Sequence, residues 1–180
     1  MTTAPAVWYL LRATGVVALL LLTGSVVLGV ATSNRWAPAR LPRFVTNGLH
    51  RNVSLLASAY LVVHVLTAVI DADASVRLVD VVVPFGAASA PLWVGLGAVS
   101  LDLLAAVVVT SLLRRRFGNR TWRAVHWCAY AAWPFALLHG IGMGSDVATS
   151  WLLGVELACI AAVGLSVTWR LLAGEDTAAA

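Results

Sequence analysis

Apolar residues run along this chain in five stretches of about 20, broken by short polar segments. A helix in water shows one apolar stripe and a half-buried strand alternates, whereas a segment apolar on every side belongs in lipid. The stretches predict helices over about residues 7–30, 48–70, 91–113, 122–141 and 150–172. At 1.5 Å per residue each approaches or exceeds a hydrocarbon core roughly 30 Å thick. The pattern predicts an all-α integral membrane helical bundle of about five transmembrane helices, one domain over residues 1–180. The first stretch is long for a cleaved leader and no basic residue precedes it, so it reads as a permanent helix.

Composition agrees. Apolar residues make up 61% and charged ones 11%, with a mean hydropathy of +0.89; soluble domains carry about 25% charge. A soluble nucleotide-binding domain has no room beside the spans. The net charge is +4 and every basic residue is Arg. Arg35, Arg40, Arg43 and Arg51 follow the first stretch, and Arg114, Arg115, Arg116, Arg120 and Arg123 follow the third. Clusters between spans obey the positive-inside rule and do not form a nucleic-acid surface. The other loops hold Asp71, Asp73, Asp80 and Asp146 against Arg77. The N-terminus is therefore expected outside and the C-terminus in the cytoplasm, in a bacterial plasma membrane. Trp8, Trp93, Trp122, Trp151 and Trp169 lie near stretch ends, as interfacial anchors do. Cys128 and Cys159 lie within apolar stretches and say nothing about disulfides.

The chain has four histidines: His50 and His64 on the second predicted helix, His126 and His139 on the fourth. Those helices run in the same direction. Separations of about 21 Å and about 20 Å along each axis then give two level pairs of imidazoles. Facing imidazoles are how a bundle supplies both axial ligands to a haem, while zinc wants more ligands at one depth. His50 and His64 share a helical face. His126 and His139 fall about 220° apart on a straight helix, so a kink at Pro134 is expected to bring both inward. The plainer alternative is four buried histidines satisfied by backbone or by the hydroxyls of Ser54, Ser58 and Thr67.

The strings LHRNVSLLASAYLVVHVLTAV and RTWRAVHWCAYAAWPFALLHG resemble the two haem-bearing helices of the ferric reductase-like transmembrane domain. That superfamily includes ferric reductases, NADPH oxidases and the haem-binding membrane subunit of the methionine sulfoxide reductase system. The resemblance covers about residues 5–172. It implies two haem b groups, His50 with His126 on the inner and His64 with His139 on the outer. It also implies electron flow from a cytoplasmic-side donor to an extracytoplasmic acceptor: ferric iron, oxygen or an exported flavoprotein or reductase. Members usually have two spans before the first histidine helix, and one is found here. The flavin and nicotinamide domains of ferric reductases are not expected within these 180 residues either. The chain is accordingly expected to be a membrane subunit, an oxidoreductase component with a separate donor, either a flavoprotein reductase or quinol.

Anionic haem propionates suit planar guanidinium groups. Arg51 and Arg123 stand beside His50 and His126, with Arg43 close by, and Arg12 lies at the expected depth of the outer pair. Asp102 and Glu156 are acids within predicted spans; Glu156 is a candidate partner for Arg12, and Asp102 is expected to be protonated or hydrogen-bonded. Tyr60, Trp127, Tyr130, Trp133 and Phe135 lie between the two histidine levels, mostly as packing. Residues 71–90 are expected to form a short amphipathic cap, with an acceptor docking there or near Gly140, Gly142, Gly144 and Asp146. Two rivals stand beside this reading: a quinol-oxidising cytochrome b-type subunit, and a non-redox membrane transporter or structural protein.

Overall fold

The computed structural model describes residues 4–33, 42–144 and 150–176. Arg35, Arg40 and Asp146 lie outside the described residues. Among the described residues seven helices follow in order: α1 (Ala4–Ser33), α2 (Arg43–Ile70), α3 (Leu78–Val82), α4 (Pro91–Leu112), α5 (Arg114–His126), α6 (Cys128–Met143) and α7 (Ser150–Asp176). No strand occurs among the described residues. Among the described residues four helices are long and apolar enough to cross a membrane, over Ala6–Ser33, Arg43–Ile70, Pro91–Leu112 and Trp151–Leu172. The fold is all-α and the protein is integral to the membrane.

Over the span expected at residues 122–141 the helix tightens at Trp127, whose own backbone stays helical (φ −62°, ψ −23°). α5 ends at His126 and α6 begins at Cys128, with Trp127 between them. There the Tyr130 amide donates to the Trp127 carbonyl at 3.1 Å, a tighter turn than the α-helical one. α6 runs on through Pro134. Proline removes the bond to the carbonyl four residues before it and crowds that turn, and the tightened turn lies on its N-terminal side. With 16 residues, α6 is shorter than the roughly 20 of a full span.

The chain forms two compact units, Met1–Val16 with Val62–Ser145, and Val17–Leu61 with Asp146–Ala180. In the first, α4 packs chiefly on α6. Val94, Gly95, Ala98, Ser100 and Val107 of α4 are buried, as are Ala132, Trp133 and Leu137 of α6. Small residues let the backbones approach, and a hydroxyl links them: Ser100 donates to the Ala132 carbonyl at 2.9 Å. Trp93 lies flat where a side chain at Gly142 would stand. In the second unit the Ser25 and Ser54 hydroxyls bond each other at 2.6 Å, and Glu156 is buried on α7.

Candidate functional site

Three histidines are held by one device. His64 Nδ1–H donates to the Leu11 carbonyl at 3.0 Å, His139 Nδ1–H to the Trp93 carbonyl at 2.8 Å, and His50 Nδ1–H to the Ser25 carbonyl at 3.0 Å. A carbonyl only accepts, so each Nδ1 carries the proton and each Nε2 keeps its lone pair. Four residues after each carbonyl stands a glycine: Gly15, Gly97 and Gly29. A Cβ at Gly97 would lie 2.7 Å from His139 Nδ1, one at Gly15 2.9 Å from His64 Cε1, and one at Gly29 3.3 Å from His50 Cε1. On a helix the residue four positions on sits directly above the carbonyl. Only a bare backbone there lets a ring lie flat enough for its Nδ1 to reach the oxygen. Each imidazole is thus fixed in tautomer and orientation by the neighbouring helix, as metal-bound histidines are.

The rings of His64 and His139 face each other with centroids 6.2 Å apart and planes at 83°. When two imidazole nitrogens bind one metal at about 2 Å from opposite sides, the ring centres lie about 1 Å further out and so roughly 6 Å apart. The separation therefore suits two imidazoles that would share one metal ion. Two imidazoles fall short of the three or four protein ligands of a zinc site, and no group of three or more His, Cys, Asp or Glu gathers among the described residues. A metal here would bring its remaining ligands with it, as iron in a porphyrin does.

The other sequence candidates are more scattered. His126 belongs to the first unit and stacks on Trp122, with centroids 5.0 Å apart; His50 belongs to the second. Arg12 follows the carbonyl that receives His64, which places it at that depth, and its guanidinium lies 4.5 Å over the Trp8 ring. Arg51 is exposed. Arg123 is exposed as well and lines an open cleft of about 410 Å³ with Arg120, Ala124 and Trp127. Asp102 points outward midway along α4, away from the face that meets His139. Cys128 and Cys159 are free thiols.

Residues 71–90 are ordered as a small strapped unit. Arg77 Nε and Nη2 donate to the Asp80 carboxylate at 2.9 and 2.7 Å, and Nη2 also to the Gly86 carbonyl at 2.9 Å. The guanidinium holds the Asp80 carboxyl below the usual carboxylate range, chiefly through these side-chain bonds. Phe85 takes the left-handed conformation, φ 66°, a sparsely populated one for an aromatic residue. It packs against bare Gly95.

Sequence reasoning missed the three glycines and the carbonyls. A signal was present: Gly15 and Gly29 are 14 residues apart on α1, the same separation as His50 and His64 on α2. A glycine inside a helix costs about 1 kcal/mol relative to alanine, so two at matched spacing ask for a reason.

These features define an all-α integral membrane protein with a pair of oriented, facing imidazoles. Residues 14–137 match the family described as ferric reductase like transmembrane component. The match spans well over half of the chain, and the chain belongs to that family. Its role is therefore redox-associated and in the membrane. No curated protein and no solved structure matches it.

Proposed function

We propose that this protein is a bis-haem b membrane subunit that moves electrons from a donor at its Arg-rich face to an acceptor on the opposite face. The observation that carries this reading is the His64–His139 pair, 6.2 Å apart with each Nδ1 committed to a carbonyl. When bound, haem b supplies one-electron chemistry within the bilayer. His64 and His139 would hold the outer haem through Nε2, and His50 and His126 are the residues the sequence offers for the inner one. The carbonyls of Leu11, Trp93 and Ser25 accept from Nδ1–H and hold each ring with Nε2 unprotonated. Arg12 is the cation for an outer propionate; Arg51 and Arg123, beside the inner histidines in sequence, take that role for the inner one.

The Arg-rich segment faces the cytoplasm by the positive-inside rule, with the N-terminus outside. A separate flavoprotein reductase, or quinol, gives up one electron there per transfer. The extracytoplasmic acceptor gains it, Fe(III) becoming Fe(II) where the acceptor is a ferric chelate. The test is purification with haem available, oxidised and dithionite-reduced absorption spectra, and pyridine haemochrome quantification. Two low-spin haem b per chain is the expected result. A folded, haem-free protein overturns the reading.

A further inference from the structure

α3 is amphipathic inside out. Its one charged residue, Asp80, is 2% exposed, while Leu78 is 73%, Val79 52%, Val82 65% and Val83 52% exposed. A helix washed by water turns its carboxylate outward and its apolar stripe inward. Here the carboxylate is turned in and satisfied by Arg77, and between residues 78 and 90 no other ionisable side chain occurs. The apolar face also runs on from neighbouring spans: Leu66 and Ile70 at the end of α2 and Leu92 at the start of α4 are exposed. Those side chains belong to helices that cross the membrane.

We infer that α3 and the residues after it lie in the interfacial zone of the bilayer, with Leu78, Val79, Val82 and Val83 inserted among lipid chains. The partner of this surface is lipid, because exposed apolar side chains continue from it onto the ends of the membrane-crossing helices α2 and α4. Arg77, exposed at the N-terminal edge of α3, sits at headgroup level, where its stem follows apolar surface and its head stays in the polar layer. The cap is therefore a monotopic float between two spans, and a soluble acceptor reaches the protein at another surface.

A nitroxide at Val82→Cys, in a Cys128→Ala/Cys159→Ala background, tests this in phosphatidylcholine vesicles, with Asp73→Cys as the water-exposed reference. The expected result is an oxygen-to-nickel-chelate collision ratio several-fold higher at position 82 than at 73. Equal ratios would place the face in water and overturn the inference. Protection of position 82 from both reagents would assign the face to a protein partner or a second copy, and overturn it equally. Val79→Cys, on the same face, repeats the measurement if the first variant fails to fold. Neither label depends on haem, so the outcome is independent of the function proposed above.

Discussion

Two parts of the first unit are built on opposite principles. Around His64 and His139 every polar group is turned inward and fixed: imidazole to carbonyl, ring above glycine, helix against helix. Around α5 the polar groups face out. Arg114 folds onto Asn119 and lies 4.1 Å over the Trp122 ring, and Trp122 donates to Ser111 at 3.2 Å. Arg115, Arg116, Arg120 and Arg123 are exposed. The first arrangement suits a group that stays and must not reorient; the second suits a charged surface met in passing. Even their glycines differ in kind. Gly97 is needed for the space it leaves. Gly118 is needed for its backbone, φ 72° and ψ 166°, a region nearly closed to other residues, and a side chain there would touch nothing.

The largest effect that would break this contrast is removal of a ligand. His64→Ala or His139→Ala should lower haem from two per chain to roughly one, because a low-spin site needs both axial imidazoles. Haemochrome quantification decides it. An unchanged content would detach the facing pair from haem altogether.

Next comes the glycine series, ordered by distance. Gly97→Ala places a Cβ 2.7 Å from His139 Nδ1, Gly15→Ala one 2.9 Å from the His64 ring, and Gly29→Ala one 3.3 Å from the His50 ring. Overpacking of this sort costs about 1–3 kcal/mol, and the ring must leave its carbonyl. Loss of haem and a shifted reduction potential should therefore diminish in the order Gly97, Gly15, Gly29. Gly118→Ala should cost a similar ~1–3 kcal/mol in strain yet leave the absorption spectrum intact. If Gly118→Ala altered the spectrum as Gly97→Ala does, the distinction between space and conformation would fail.

How much of this was legible in the sequence depends on what fixed it. The helices were, because twenty apolar residues in succession have one solution in lipid. The facing pair was legible from depth alone, since parallel helices put His64 and His139 at one level. The tightened turn at Trp127 was not, since a proline seven residues further on does not specify where a helix tightens. The segment after α4 read as a loop from its arginines, yet α5 is helical on both sides of Gly118; local bonds from Arg114 and Trp122 outweigh the charge density. The cap was expected to be amphipathic and is, but its direction was hidden: only Arg77 folding back on Asp80 reveals which side is dry.

A smaller effect belongs to the exposed arginines. Arg115→Gln combined with Arg116→Gln should slow reduction by an acidic donor protein about tenfold at low ionic strength, the difference shrinking as salt screens it. Haem content and spectrum should not move. Stopped-flow reduction at several salt concentrations separates docking from ligation, and a salt-independent rate would remove the docking role from this face.

The smallest expected effect concerns the cap, which shares the inward polarity of the imidazole pair without touching it. Asp80 is held below the ordinary carboxylate range by Arg77. A lowered carboxyl contributes stability that is complete above its unfolded value and is lost as pH falls through the lowered folded value. The strap should therefore hold unchanged at neutral pH and loosen only in acid, below the ordinary carboxylate range. Hydrogen exchange of the Arg77 amide, which donates to Asp80 at 3.0 Å, reads this directly: faster exchange in acid than the intrinsic rate predicts, with the amides that flank His139 unaffected. Asp80→Asn should show the loosened state at every pH and abolish the acid dependence. An acid transition that survives in that variant would detach the strap's pH dependence from Asp80 and overturn this account.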